Sequence, residues 1–356
     1  MTKFNYTPKD FKSAAEVRWC PGCGDYAIMN AVQKTMADMD IAHKDFAVIS
    51  GIGCSSRFPY YMSTYGFHTI HGRAAAIASG VKSANPNLTV WVITGDGDSL
   101  AIGGNHFIHL VRRNINLNLI LFNNKIYGLT KGQYSPTSDR GVITKTSPFG
   151  TIEDSFVPGQ LVLGSRGTFF ARAVDSNVKH TQEVLADAAQ HKGTSVVEVL
   201  QNCVIFNDGI HDYVTDPKFR AERQIFLKKG EPMIFGEQAD KGLVLENSRL
   251  KVVKIGENGI TRDDILVHHP EEDNLGLQVA LINMALPEFP VAMGVIRSVD
   301  APNYDQEMKK QIETVQAKRK ISCMDELLQS GNTWTVNGDN CSEPVKFFDN
   351  KCFNNH

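Results

Sequence analysis

No window of the 356-residue chain approaches the roughly 18 consecutive apolar residues of a membrane span, and the N-terminal stretch MTKFNYTPKDFKSAAEVRW lacks the apolar centre of a secretory leader. Both absences place the expected protein in the cytoplasm. Blocks of about five or six basic residues are also missing, and 37 Lys and Arg against 39 Asp and Glu give a formal charge of -2. Neither nucleic acid nor a membrane surface is therefore an expected partner. The seven cysteines are an odd number, and in a reducing compartment they argue for metal binding or catalysis rather than disulfides. A ferredoxin-type C-x2-C-x2-C run is absent, and so is any internal repeat.

What is present is α/β material. DFAVIS (45–50), LTVWVIT (88–94), LNLILFNN (117–124), FFARAV (169–174) and TSVVEVL (194–200) are apolar runs that do not alternate, the pattern of parallel strands buried on both faces. Helical stretches lie among them at 72–84, 105–114 and 177–191. A mainly parallel sheet flanked by helices binds its ligands at the carboxyl edge. The segment 135–166, rich in Ser, Thr, Pro and Gly, is too long for an ordinary connection and reads as a functional or mobile loop. Beyond it, 241–255 suggests a hairpin, 274–286 and 303–319 suggest helices, and the Asn-rich tail from 331 has no periodicity. The expected division is an N-terminal segment 1–40, a ligand-binding domain 41–204, and a smaller C-terminal α+β extension with irregular tail, 205–356.

Three motifs carry chemistry. In WCPGCG (19–24), Cys20 and Cys23 have the spacing of a zinc site, a redox disulfide or half of an iron–sulfur site, and Pro21-Gly22 supplies the turn in each case. Gly95-Asp96-Gly97-Asp98 follows one buried strand and Asn123-Asn124 ends the next. An Asp and an Asn on adjacent strand ends suit Mg²⁺ bridged to a phosphate, and the glycines let backbone N–H groups approach that phosphate. A dinucleotide loop would carry its acid about twenty residues downstream; an acid inside the loop would repel a pyrophosphate unless a cation stood between them. Taken alone, GDGDS could also be a simple turn.

GDG followed about thirty residues later by NN resembles the motif of thiamine-diphosphate enzymes. NNKIYGLTKGQYSPTS (123–138), WCPGCGD, GIGCSSR, TIHGRAAAIASG and QNCVIFNDG together resemble the β subunits of 2-oxoacid:ferredoxin oxidoreductases, the 2-oxoglutarate type above all. The resemblance runs from residue 11 to about 235. It leaves out 144–160 and the extension past about 290.

The resemblance implies the thiamine-diphosphate-binding fold for 41–204 and cluster binding for 1–40. It implies that Asp96, Asn124 and the carbonyl of Ile126 hold Mg²⁺, and that Ile52, Gly53, Cys54, Ser55, His71, Gly97, Asp98, Gly128 and Leu129 line the cofactor. Read alone, His71 could equally be a capping or packing histidine. The resemblance further implies one [4Fe–4S] cluster on Cys20, Cys23, Cys54 and Cys203, which leaves Cys323, Cys341 and Cys352 without a role. Implied partners are a companion α subunit that brings the activating carboxylate, ferredoxin, a 2-oxoacid and coenzyme A. Lys131 is a candidate contact for a substrate carboxylate or a CoA phosphate, or else a solvated lysine, and Arg57 is a weaker candidate of the same kind. The implied reaction converts a 2-oxoacid, CoA and oxidised ferredoxin to acyl-CoA, CO₂ and reduced ferredoxin, and is reversible. Pyruvate or a branched 2-oxoacid is an alternative substrate, and a non-redox thiamine lyase with a structural zinc is the alternative chemistry.

Overall fold

The computed structural model describes residues 4–318 and 323–334. Expectations for Cys341, Cys352 and the tail beyond residue 334 lie outside them. The strands are β1 (Phe46–Ser50), β2 (Tyr65–His68), β3 (Thr89–Gly95), β4 (Leu117–Asn123), β5 (Phe169–Val174), β6 (Thr194–Leu200), β7 (Gln224–Leu227), β8 (Ile234–Phe235), β9 (Lys241–Glu246), β10 (Arg249–Lys254) and β11 (Val291–Ser298). Eight of them form one sheet in the order β2-β1-β3-β4-β6-β5-β11-β7, and the only antiparallel neighbours in it are β5 and β11.

The non-alternating runs behave as their composition demands. β1, β4, β5 and β6 are buried along their whole length. Successive residues supply opposite cores: Val92 of β3 packs with Ala75, Ala78 and Phe107 from helices Ala74–Ala84 and Gly104–Arg113, whereas Trp91 and Ile93 pack with Val32, Met36 and Val184 from helices Asp25–Asp38 and Val178–Gln190. The result is a three-layer α/β sandwich. Asn177 starts the helix Val178–Gln190 by accepting the His180 backbone N–H at 3.2 Å. Asn114 closes Gly104–Arg113 in the left-handed conformation (φ 51°).

The helix Asp25–Asp38 and the strands β2, β7 and β11 are additions to the expected elements. β2 is exposed throughout and so carries no apolar run, while β11 enters the sheet antiparallel from beyond the αβ alternation. Because β7 and β11 extend the main sheet, residues 204 and 205 do not separate two bodies: the described residues up to Met308 form one compact unit. Residues 4–40 belong to it too, through the fully buried Phe11 and the helix Asp25–Asp38. The expected hairpin is present as β9 and β10, turned by Asn247 and Ser248 at φ 50° and 64°, and β8 completes a small antiparallel sheet. The second unit, from Lys309, holds the remainder of the helix Tyr304–Lys318 and the helix Met324–Gln329. Among the described residues no helix is long and apolar enough to cross a membrane.

Candidate functional site

The carboxyl ends of β1, β3, β4 and β6 open into the segments 51–55, 95–98, 123–126 and 201–203, so sheet topology alone brings the sequence motifs to one edge. There they enclose a cavity of about 430 Å³. Asp96, Asn124 and Ile126 line it, together with Ile52, Gly53, Cys54, Ser55, His71, Gly97, Asp98, Gly128 and Leu129. Lys131 is exposed and off the wall, two residues from Leu129 and Gln133, which are on it. Arg57 is turned away, its Nη1 donating to the Arg18 carbonyl at 3.0 Å.

GDGDS is not a loop but the first turn of a short helix, Asp96–Leu100, and this separates its two acids. Asp98 is used by the fold: Oδ1 accepts the N–H of Ile52 at 3.0 Å and of Gly72 at 2.7 Å, and Oδ2 accepts the Thr94 hydroxyl at 2.7 Å. A side chain at Gly51 would strike that carboxylate, its Cβ falling 1.9 Å from Oδ2. His71 Nδ1 lies 3.0 Å from Asp98 Oδ1 without the alignment of a hydrogen bond. Asp98 therefore shapes the wall.

Asp96 is the acid open to a ligand. It is buried, and burial pushes its pKa up to about 6. Ser135 and Thr137 each place a hydroxyl 2.5 Å from its Oδ2, and among the described residues no side-chain hydrogen bond falls on Oδ1. Behind them, Thr137 Oγ1 lies 2.9 Å from Asn123 Oδ1, Asn123 Nδ2 donates to Glu198 at 2.7 Å, and Glu198 is paired with the buried Arg172 at 2.8 Å. A buried carboxylate with one oxygen held by protein and its charge penalised by burial fits a divalent cation, which would relieve that penalty. On the facing strand end, Asn124 Oδ1 accepts the Ile126 N–H at 3.1 Å. Tyr127 closes the turn, its hydroxyl donating to the Gly97 carbonyl at 2.8 Å, and a Cβ at Gly97 would enter the Tyr127 ring at 2.3 Å.

The cysteines adjoin the same cavity. A Cβ on Gly128, itself part of the wall, would stand 3.5 Å from Cys203 Sγ and 3.6 Å from Cys54 Sγ. Burial, followed by the charge of Asp25, pushes the Cys54 thiol up to about 11, with Cys203 and Cys20 contributing. Burial, with Asp25 next, raises Cys23 as well, and Cys203 and Cys54 add to it. The four sulfurs thus share one neighbourhood. Thiolates there are disfavoured unless a cationic core stands among them. Among the described residues no three or more His, Cys, Asp or Glu side chains converge on a single ion position. A cubane takes one thiolate at each of four irons and does not need such a focus. Cys323 is exposed in the second unit.

Several site residues have no role legible in the sequence, although all but His211 lie inside the motifs quoted above. Ser135 and Thr137 lie in the 135–166 segment, whose excess length was its signal. Gln201 and the buried Asp25, whose pKa is raised to about 7 by burial and by Asp175, flank cysteines. His211 places Nε2 2.8 Å from the Asn123 carbonyl, and burial pushes its pKa down to about 4. Since an unfolded histidine titrates near 6.5, the neutral ring contributes stability above that pH, and the contribution is lost as pH falls from 6.5 towards 4, by about 2 kcal/mol at pH 5. The thermal midpoint of His211→Gln should consequently fall less between pH 7 and pH 5 than that of the parent. Equal falls would show that His211 does not set this acid sensitivity.

Comparison with known proteins places these features. Residues 51–199 match the family described as thiamine pyrophosphate enzyme, C-terminal TPP binding domain. The chain is 46% identical to the 2-oxoglutarate oxidoreductase subunit KorB of Mycobacterium tuberculosis over 92% of its own length and 88% of that protein's. The chain belongs to the β subunits of the 2-oxoacid:ferredoxin oxidoreductases. Among these it groups with the 2-oxoglutarate type. It is 38% identical to the 2-oxoglutarate synthase subunit KorB of Methanocaldococcus jannaschii over 66% of this chain and 88% of that one. A solved 2-oxoglutarate:ferredoxin oxidoreductase from Magnetococcus marinus, with 2-oxoglutarate, coenzyme A and succinyl-CoA bound, superposes with a TM-score of 0.73 at 32% identity, covering 92% of this chain and 97% of that chain. Of the four clustered cysteines, only Cys54 falls inside the generic thiamine domain. Cys20, Cys23 and Cys203 lie outside the matched residues.

Proposed function

We propose that this β subunit, joined to a companion α subunit, converts 2-oxoglutarate and CoA to succinyl-CoA and CO₂ and passes the two electrons through a [4Fe–4S] cluster to ferredoxin. The observation that carries the proposal is at Gly128, which lines the cavity together with Cys54 and where an added Cβ would stand 3.5 Å from Cys203 Sγ and 3.6 Å from Cys54 Sγ. Such an arrangement suits an oxidative reaction, in which electrons leave the cofactor, and serves no purpose in a lyase with a structural zinc.

Thiamine diphosphate, when bound, supplies the electron sink that decarboxylation of a 2-oxoacid requires. Asp96, Asn124 and the Ile126 carbonyl would hold Mg²⁺, and the backbone of the Gly97 turn would face the diphosphate. Ser135 and Thr137 keep the Asp96 carboxylate in one orientation. Asp98 fixes the backbone at Ile52 and Gly72, beside which the cofactor would lie, with His71 next to them. Lys131, just past the cavity wall, offers its ammonium to a substrate carboxylate or a CoA phosphate. The carboxylate that activates thiamine is the α subunit's, as the resemblance implies, since Asp96 and Asp98, the carboxylates lining the cavity, are both engaged. Ile70 and Ile102, beside His71 and Gly72, are exposed and offer that subunit an apolar seat. Such a complex works in the cytoplasm.

An anaerobic preparation of the co-expressed αβ complex tests the reading. Iron, sulfide, Mg²⁺ and thiamine diphosphate should co-purify, and 2-oxoglutarate should reduce ferredoxin in a CoA-dependent reaction that pyruvate supports poorly. The β subunit alone should be inactive. Turnover by β alone, or a colourless zinc-containing complex, would refute it.

A further inference from the structure

Gln201 is almost fully buried, and its amide has three partners, each on a different part of the site. Oε1 accepts from Asn124 Nδ2 at 2.8 Å. Nε2 donates to Cys23 Sγ at 3.4 Å and to the Asn202 carbonyl at 2.5 Å. Its own backbone N–H is spent on the Asn123 carbonyl at 3.0 Å, which ties it to the end of β4. One side chain therefore joins the amide that faces the cation to a sulfur of the cysteine cluster.

The orientation of each amide follows from its neighbour. The Ile126 N–H donates to Asn124 Oδ1, so Asn124 must turn its NH₂ towards Gln201. Gln201 must then present its oxygen to Asn124 and its NH₂ to Cys23. Reversing Gln201 would set oxygen against the Asn202 carbonyl and NH₂ against NH₂. A backbone N–H beside the cofactor thus determines, through two amides, that a hydrogen-bond donor points at the Cys23 sulfur. Gly24 leaves room for this, since a Cβ there would come 3.0 Å from Gln201 Cγ and 1.8 Å from the Asp175 carboxylate.

We infer that Gln201 is a positioning residue for both redox groups: it holds Asn124 in the orientation that presents oxygen to the cation, and its N–H donation to Cys23 raises the reduction potential of the cluster. The second effect follows because a donor to a ligand sulfur withdraws negative charge and favours the reduced, more negative cluster. The first follows because partners of metal-ligating groups set affinity through orientation, typically by tenfold or more. The inference rests on the proposed Mg²⁺ and cluster assignments.

The test uses the anaerobic αβ complex with Gln201→Met, which keeps length and apolar volume but donates nothing, and Gln201→Glu, which keeps shape and, when ionised, donates nothing. Potentiometry followed by electron paramagnetic resonance should show the cluster reduced at a more negative potential in both variants. Equilibrium dialysis of thiamine diphosphate against a Mg²⁺ series should show half-maximal binding at about tenfold higher Mg²⁺ for Gln201→Met, and at the parent's Mg²⁺ for Gln201→Glu, which still accepts from Asn124. A variant that loses its cluster still reports through dialysis. Unchanged potential with full iron content overturns the sulfur half, and unchanged Mg²⁺ dependence in Gln201→Met overturns the Asn124 half. Failure of the underlying reading looks different: the parent complex itself would lack iron, or would bind thiamine diphosphate without Mg²⁺.

Discussion

Asp96→Asn is expected to abolish Mg²⁺-dependent binding of thiamine diphosphate while making the cation-free protein more stable. The loss follows from removing the one charged oxygen ligand the cavity offers, and a contribution of roughly 3 kcal/mol to the cation's hold corresponds to at least about a hundredfold fall in turnover. The gain follows from the raised pKa of Asp96, pushed up to about 6 by burial. For a carboxyl whose folded pKa exceeds the unfolded 3.8, stability is fully present below 3.8 and declines as pH rises through 6. At pH 7.5 the parent apo chain bears the whole penalty, of order 3 kcal/mol, and the asparagine variant bears none. Thermal melts of the metal-stripped proteins at pH 5 and 7.5 should therefore separate most at the higher pH. An Asn variant no more stable than the parent at pH 7.5 would mean that the carboxylate is not penalised. One that still needs Mg²⁺ at the same concentration would move the cation site elsewhere.

Cys203→Ser is expected to strip bound iron and sulfide together and to end electron delivery to ferredoxin, yet to leave thiamine diphosphate and Mg²⁺ in place. The asymmetry has a geometric source. Cys203 approaches the wall at Gly128 but is not among the residues that line the cavity, so the thiol can be changed without altering any group proposed to hold the cofactor. Serine offers a far weaker ligand to iron than thiolate, and its smaller oxygen should not disturb the packing. Cys323→Ser, in the other compact unit, supplies the control and should retain full iron. Iron and sulfide analysis beside a thiamine assay decides the matter. Retention of full iron in Cys203→Ser would remove Cys203 from the cluster, and loss of both cofactors at once would point to a folding defect.

The sheet and the cofactor cavity were legible because they rest on chemistry close in sequence. Apolar runs that do not alternate can only be strands covered on both faces, and GDG and NN mark the ends of two that are neighbours, β3 and β4. β7 and β11 were not legible, since nothing local tells an eight-residue run such as Val291–Ser298 to join a sheet begun some 240 residues earlier. The long Ser- and Thr-rich segment announced a function by its length but not that Ser135 and Thr137 would bind Asp96 across about forty residues of chain. Glu198 reads as a charge inside a strand. Only its partners Asn123 and Arg172, one on each neighbouring strand, make it tolerable there.

Of the four clustered cysteines, Cys20 alone is exposed, beside the Pro21-Gly22 turn, whereas Cys23, Cys54 and Cys203 are partly covered. For a cluster held as proposed, that corner is where a small soluble acceptor could come closest without any part of the protein moving aside. Dioxygen, far smaller than a protein acceptor, could reach the same corner. A bulkier residue beside Cys20 should thus slow both the loss of iron in air and the discharge of electrons to the acceptor.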